Sequence, residues 1–280
     1  MSLVQAHGIS FSYGQHEIIH SLSFAVNPGE IFCLFGPNGC GKTTLLECLL
    51  GLLKISDGKI LLGGINPQQS PPAVIARVAA YVPQVHQKTF PYLVREIVMM
   101  GRAAYTGIFS SPGRKELEGV DEVLATVGIL HLRDKPYVQL SGGEMQLVMI
   151  ARALLQKTPV MILDEPTAHL DYRNDLLILE TVARLVTEQK LTVLMSTHNP
   201  NQTFYFESKG IATRVALMHS HTFVATGPPS QVLTEENLRR YFRIETKIIP
   251  YCAENRLPLH QVFPLGINNT ETTEEKNAYR

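Results

Sequence analysis

A glycine-rich loop near the amino end carries the strongest chemical pattern of this 280-residue sequence. It fits G-x-x-x-x-G-K-[ST] between an apolar run and a stretch of helical periodicity, the context that the pattern requires. Glycines let successive backbone N–H groups point at phosphate oxygens, and the following helix adds its positive amino end. The lysine reaches the β and γ phosphates, and the threonine is placed to bind Mg²⁺. The predicted phosphate-binding residues are Gly36, Pro37, Asn38, Gly39, Cys40, Gly41, Lys42, Thr43 and Thr44, of which Thr43 is also a metal ligand.

Two acidic residues follow a second apolar run, at residues 160–163. Such a run predicts a buried strand, and α/β sheets place their ligand chemistry at the carboxyl ends of their strands. Asp164 can hold Mg²⁺, and Glu165 can orient, or take a proton from, a water that attacks the γ phosphate. Taken alone, an apolar run that ends in two acids is more often structural, so this prediction depends on the glycine-rich loop.

The pentapeptide L-S-G-G-E at residues 140–144 opens a further helix and forms a second candidate anion site. Ser141, Gly142 and Gly143 present a hydroxyl and bare backbone N–H groups at the helix's amino end, followed by Glu144. A fixed pentapeptide arises by chance in fewer than about one such chain in a thousand. One nucleotide does not need two separate phosphate cradles, so this duplication requires an explanation.

Short apolar runs that alternate with helical periodicity must position these residues. The alternation predicts an α/β fold with a parallel sheet covered on both faces. The predicted strands are residues 3–11, 22–26, 30–35, 59–62, 160–163, 191–196 and 214–218. Besides the helix after the glycine-rich loop, the predicted helices are residues 93–101, 114–127, 142–155, 173–188 and 235–242. Residues 244–249 alternate weakly and either add a strand to the main fold or touch a partner.

Composition narrows the class of protein. Lys plus Arg and Asp plus Glu are 25 each, so the net charge of zero argues against a nucleic-acid binder. Charged residues make up 18% of the chain, below the usual 25% or so, which indicates that part of the surface is covered. No apolar run reaches the roughly 18–20 residues of a membrane helix, and no signal peptide is evident. The four cysteines lack Cys-x-x-Cys spacing, which favours reduced thiols over a disulfide or zinc framework.

The motifs, in this order, resemble those of the ATP-binding subunits of ATP-binding-cassette (ABC) transporters. The loop is similar to the Walker A motif, the strand before Asp164 to Walker B, and residues 140–144 to the family signature. The resemblance implies a P-loop NTPase parallel-sheet core with an N-terminal antiparallel β subdomain and an inserted helical subdomain at about 85–155. It places the cassette at residues 1–235 and a C-terminal extension, disordered at its end, at 236–280.

The resemblance also explains the second cradle. In the family two cassettes pack head to tail, and the signature of one closes on the nucleotide of the other. It implies that ATP and Mg²⁺ are bound, that Tyr13 stacks on adenine, and that Asp171 lies at the dimer seam. It further implies that Gln84 contacts Mg²⁺ or the attacking water and that His198 contacts the γ phosphate.

Five positions depart from the family pattern, in which the signature usually continues with Gln, Arg and Gln. Glu144 and Met145 replace the first Gln and the Arg, Leu147 stands where a basic residue is common, and His169 and Asn199 replace a smaller and an acidic residue. These departures put site charge, dimer-seam hydrogen bonds and turnover rate in doubt. They leave Lys42 and the acidic pair unchanged, so we expect a catalytically complete site.

Residues 93–102 resemble the matching segment of cassettes that serve importers of iron chelates, haem, cobalamin and molybdate. The resemblance implies an ATPase subunit of such an importer, peripheral to the cytoplasmic face of the inner membrane. Its partners would be a second copy, membrane permease subunits and, indirectly, a substrate-binding protein, with no nucleic acid. An exporter subunit and a soluble non-transport ABC ATPase remain alternatives. If exposed, Phe90, Tyr92, Val94 and Met99 would suit a groove that receives the permease.

Overall fold

The structure is a computed structural model that describes residues 2–84, 91–105, 114–252 and 258–268. Its strands are β1 Val4–Tyr13, β2 His16–Val26, β3 Ile31–Phe35, β4 Asp57–Leu62, β5 Ala79–Val82, β6 Val160–Asp164, β7 Thr192–Thr197, β8 Thr213–His219, β9 Thr222–Gly227, β10 Ile244–Tyr251 and β11 Leu259–Ile267. Its helices are α1 Lys42–Leu49, α2 Pro72–Ile75, α3 Val94–Met99, α4 Arg114–Thr126, α5 Gly142–Leu155, α6 Tyr172–Gln189, α7 Pro200–Ser208, α8 Pro229–Val232 and α9 Glu235–Phe242.

A central sheet in the order β5-β6-β7-β3-β8-β9 forms the middle of the fold. The first five strands run parallel, and β9 is antiparallel to β8. Every residue of β3 is buried because successive side chains point to opposite faces and both faces are covered. Phe32 and Leu34 join the core on one face, and Cys33 and Phe35 join the core on the other. This sheet confirms the predicted α/β fold with a parallel core.

A separate antiparallel sheet in the order β2-β1-β4 lies on the α1 side of the central sheet. Buried residues of β1 alternate with more exposed ones, as expected for a sheet with one face on the core. Val4, Ile9 and Leu46 belong to the same apolar cluster as Phe32. The predicted amino-terminal antiparallel strands are therefore confirmed.

Helices α3 and α4 pack on α5 between β5 and β6 in the chain order. The predicted helix at 93–101 is present as α3 followed by a 3-10 turn at Met100–Arg102. One expectation here is wrong, since Val94 is fully buried and cannot line a docking groove. Tyr92 is exposed and Met99 is partly buried, and Phe90 lies outside the described residues. The predicted boundaries of the cassette, its helical subdomain and the extension stay predictions.

The carboxyl-terminal part folds as α9 and a β10–β11 hairpin. Within the described residues, the two hairpin strands pair only with each other and join neither of the other sheets. The hairpin packs on α7 and α9 instead. All four cysteines are free thiols. No helix in the described ranges is long and apolar enough to cross a membrane.

Candidate nucleotide site

The glycine-rich loop joins the carboxyl end of β3 to the first turn of α1. Two of its glycines are required by geometry. A Cβ on Gly36 would lie 2.6 Å from the Cys40 sulfur and 2.7 Å from the Met218 carbonyl oxygen. Gly41 has a φ of 100°, which other residues adopt at a cost. The loop therefore keeps its backbone open at the amino end of α1, as the sequence pattern predicts.

The Lys42 side chain lies buried across this loop. Its Nζ donates to the carbonyl oxygens of Gly36 and Pro37 at 2.9 and 3.1 Å, and lies 3.3 Å from Glu165 Oε1. The ammonium group is therefore fixed between the loop and the acidic end of β6. This is where a cation can neutralise phosphate oxygens held by the loop.

Asp164 is held from two sides at the end of β6. Thr43 Oγ1 donates to Asp164 Oδ2 at 2.7 Å, and Ser196 Oγ donates to Oδ1 at 2.5 Å. Burial and the carboxylate of Asp164 raise the pKa of Tyr81, which lies on the neighbouring strand. Ser196 was assigned no role from the sequence, although it pairs with Asp164 in the β6–β7 register. Only this register could have identified it.

Two of the three predicted catalytic side chains, Gln84 and His198, meet at the carboxylate of the third, Glu165. Gln84 Nε2 donates to Glu165 Oε2 at 3.1 Å, and His198 Nδ1 lies 3.2 Å from the same oxygen. The backbone N–H of Glu165 donates to Ser196 Oγ at 2.8 Å. Glu165 has a φ of 44°, an uncommon backbone conformation for this residue that these contacts stabilise.

A mostly polar cavity of about 360 Å³ opens above the loop. It is lined by residues 38, 39 and 41–44 of the loop and first turn of α1, together with Ile18, Gln84 and Glu165. Its size falls within the range of small-molecule sites. The Thr43 hydroxyl, the Asp164 carboxylate and the Gln84 amide supply hard oxygen donors of the kind that Mg²⁺ takes, so the donor set fits this metal.

The signature residues have a local structural role at the amino end of α5. Ser141 caps the helix, with its Oγ accepting from Glu144 N at 3.3 Å and its N–H donating to Glu144 Oε2 at 2.8 Å. That backbone N–H holds the pKa of Glu144 below its usual value. Gly143 has no room for a side chain, because a Cβ would lie 2.5 Å from Asn174 of α6.

Asp171 caps α6 beside the signature. Its carboxylate accepts from the backbone N–H and the side-chain amide of Asn174, each at 2.8 Å. Neither Asp171 nor the signature contributes to the described wall of the cavity above the loop.

Tyr13 ends β1 half-exposed, with its ring edge-on to Phe11 and the ring centroids 4.8 Å apart. Adenine stacking by Tyr13 and the dimer-seam position of Asp171 stay predictions.

Comparison with known proteins settles the family. A family model described as ABC transporter matches residues 19–168, more than half of the chain. The chain belongs to the ABC transporter family. This family hydrolyses ATP, so the chain is an ABC ATPase, and the cavity above the loop is its candidate nucleotide site.

Three relatives of this ABC ATPase cover nearly its full length. An iron(3+)-hydroxamate import ATP-binding protein of Bacillus subtilis is 30% identical over 97% of this chain and 98% of its own. A hemin import ATP-binding protein of Bordetella avium is 34% identical over 90% of this chain and 96% of its own. Among solved structures, an inward-facing ABC transporter of metal-chelate type matches with a TM-score of 0.82 and 30% identity, over 95% of this chain and 98% of that one.

Proposed function

We propose that this chain is the ATP-hydrolysing subunit of an importer for a metal chelate or a related metal compound. The observation that carries the proposal is the convergence of Lys42, Gln84 and His198 on Glu165, beside the Thr43–Asp164 pair. The substrate class rests on the relatives, whose names specify iron-hydroxamate and hemin import, and on the metal-chelate type of the structural neighbour.

The glycine-rich loop and Lys42 bind the phosphates of ATP. The loop lines a polar cavity, where its backbone N–H groups would bind phosphate oxygens and the fixed ammonium of Lys42 would offset phosphate charge. When Mg²⁺ is bound, it neutralises charge on the β and γ phosphates. Thr43, Asp164 and Gln84 would hold it, and Thr43 and Asp164 already lie in direct contact.

Glu165 is the residue placed to activate water. Gln84 and His198 hold the same carboxylate oxygen and so orient it toward the cavity. Lys42 contacts the other oxygen and stabilises the negative charge. A bound triphosphate competes with Glu165 for the Lys42 ammonium, which leaves the carboxylate free to accept a proton.

The remaining predicted residues would contact a second copy of this chain in a dimer. Ser141, Gly142, Gly143 and Glu144 would close on the nucleotide of a second, head-to-tail copy, with Asp171 nearby at the seam. The pair would drive permease subunits in the membrane, and the chain itself would be peripheral to the cytoplasmic face. Sharing of a site between copies explains why one chain carries two candidate anion sites, one of them outside the described wall of its own nucleotide cavity.

Substitution of Glu165, the proposed general base, tests whether this chain hydrolyses ATP in the proposed way. We expect Glu165→Gln to lower kcat about 10²- to 10⁴-fold, because the amide cannot accept the proton of the attacking water. Phosphate release from purified protein measures this, and binding of a fluorescent ATP analogue shows that the site is otherwise intact. Glu188→Gln on the exposed end of α6 is the matched control and keeps full activity. Equal rates for Glu165→Gln and the parent would contradict the assignment.

The same variant tests the transport half. With its permease and binding protein in proteoliposomes, the parent should drive ATP-dependent uptake of an iron-hydroxamate or of hemin, and Glu165→Gln should not. ATP-dependent release of cargo would identify an exporter. ATPase activity without any co-purifying permease would favour a non-transport ATPase.

A further inference from the structure

Gln202 lies near the start of α7 and is a polar residue that is only 5% exposed. Its amide oxygen accepts a hydrogen bond from Thr197 Oγ1 at 2.6 Å. Its amide nitrogen donates to Thr167 Oγ1 at 2.6 Å and to Asp175 Oδ1 at 2.9 Å. A reversed amide would turn its oxygen toward the Asp175 carboxylate, which cannot donate while it is ionised, so these partners fix the amide in one orientation.

The partners of Gln202 belong to the two segments that carry the proposed catalytic side chains. Thr197 ends β7 and directly precedes His198. Thr167 follows Glu165 by two residues, in the loop between β6 and α6. One buried amide therefore joins the segment of His198 to the segment of Glu165, although the two lie about 30 residues apart in the chain.

The loop at residues 165–171 needs to be held in place. Glu165 and His169 have φ angles of 44° and 63°, which are uncommon for residues with a side chain. Such backbone conformations persist where the surrounding structure fixes them. Thr167 lies between these two residues, and its hydroxyl accepts from Gln202. Gln202 therefore holds the middle of a loop that would otherwise relax.

Asp175, in the first turn of α6, completes the network. Burial raises the pKa of this carboxyl group, and hydrogen bonds from Thr167 and Gln202 act in the opposite direction. An apolar side chain of similar volume at position 202 would fill the same space without the cost of burying polar groups. The hydrogen bonds are therefore better explained by the geometry that they fix than by the stability that they add.

We propose that Gln202 is a positioning residue for ATP hydrolysis, which holds His198 and Glu165 in a fixed relation to each other. It acts through Thr197 on the first residue and through Thr167 on the second. Without these bonds the 3.2 Å contact between His198 Nδ1 and Glu165 Oε2 is no longer held, and the carboxylate loses its alignment with the attacking water. The inference rests on the proposed function, in which Glu165 activates that water.

Removal of the amide at constant volume tests the proposal. We expect Gln202→Met to lower kcat about 5- to 100-fold, because the two segments can then shift. The affinity for a fluorescent ATP analogue should change less than about threefold, since Gln202 does not belong to the described wall of the nucleotide cavity. Gln189→Met, at the exposed end of α6, is the matched control and should change neither. A full kcat in a folded Gln202→Met variant, or an equal loss of kcat and affinity, would overturn the proposal.

An exchange of the amide and the carboxylate separates positioning from a merely structural role. Gln202→Glu alone loses both N–H donors and places a second carboxylate beside Asp175, so kcat should fall at least as far as in Gln202→Met. Addition of Asp175→Asn restores the original net charge and a donor, and kcat should return to within about threefold of the parent. If the double variant regained the parent's unfolding temperature but not its kcat, Gln202 would be structural only.

A Glu165→Gln background shows where Gln202 acts. In that background Gln202→Met should cause no further loss of rate, because the group that it positions has already lost its function. A further loss of the same size as in the parent would show that Gln202 acts elsewhere and would overturn the proposal. The parent's full rate in Glu165→Gln itself would instead contradict the proposed function, and Gln202→Met would still report whether the network controls kcat.

Discussion

Ser196 connects the two acidic residues of the candidate nucleotide site although it carries no charge. Its hydroxyl donates to Asp164 Oδ1 and accepts from the backbone N–H of Glu165. The residue is fully buried in β7 and does not line the cavity above the loop. Ser196 is therefore a positioning residue, which fixes the carboxylate proposed to bind Mg²⁺ and the backbone of the proposed general base at once.

Removal of the Ser196 hydroxyl should slow the chemical step more than it weakens binding. Ser196→Ala leaves the Glu165 N–H unpaired and Asp164 held by Thr43 alone, and we expect kcat to fall about 5- to 150-fold. The affinity for ATP should change less than about threefold, because Lys42 and the loop are untouched. Steady-state kinetics and a nucleotide titration separate the two effects. Ser208→Ala removes a partly buried hydroxyl that donates within α7 to the Tyr205 carbonyl oxygen, and should change neither. A parallel loss of kcat and affinity in Ser196→Ala would contradict a positioning role.

Structural roles account for two of the departures from the family pattern. Leu147 is buried on α5 within the main core, so an apolar side chain suits the position. Asn199 caps α7, because its Oδ1 accepts a hydrogen bond from Asn201 N at 3.1 Å. An acidic residue would cap the helix equally well. His169 adopts a φ of 63° in the turn before α6. None of these residues contacts Glu165 in the described structure.

At the scale of elements, the amino end of α5 combines a capping box with a charge. Glu144 accepts from the Ser141 N–H, and its carboxylate lies where the helix dipole favours a negative group. Because its pKa is lowered in the folded chain, the charge stabilises the fold above the unfolded pKa. That contribution is lost as the pH falls through the lower folded pKa.

Glu144→Gln should therefore destabilise the fold in a pH-dependent way. We expect a loss of about 0.3–1 kcal/mol at pH 7, limited by partial exposure to solvent. The difference from the parent should shrink as the pH falls below the usual Glu value of 4.5. Denaturant unfolding at several pH values measures it. Glu188→Gln, near the carboxyl end of α6, should have no destabilising effect, and a Glu144→Gln effect that grows toward acid would contradict the assignment.

Strands and helices whose apolar residues form a clear run or repeat could be predicted from the sequence. Strands that depend on pairing with neighbouring strands could not. β3 and β6 are short apolar runs, as the sequence predicts, and β3 leads into the glycine-rich loop while Asp164 ends β6. β5 consists of four residues, two of them alanines with weak strand preference. β11 contains Pro264 and Gly266, which argue against a strand except in an exposed hairpin. For the same reason the contact of Ser196 with Asp164, which depends on register, could not be derived from the sequence.

At the scale of the whole molecule, one chain carries two candidate anion-binding helix ends that do not line the same described cavity. Lys42 and Glu165 line the first, and Ser141 opens α5 outside its described wall with an exposed side chain. Two copies related by a twofold axis would place the signature of each on the nucleotide of the other, giving two equal composite sites. Each site would then depend on residues from both copies.

Mixing of two inactive variants decides whether the site is shared. Lys42→Ala disables the loop and Ser141→Arg blocks the signature, and each alone should hydrolyse almost no ATP. A mixed dimer keeps one site with an intact loop and an intact signature, so an equal mixture, refolded together, should recover about a quarter of the parent rate. Lys42→Ala mixed with Glu165→Gln is the matched control, because both changes affect the loop side and no intact site can form. Recovery in the control as well, or in neither mixture of folded variants, would contradict a nucleotide site shared between two copies.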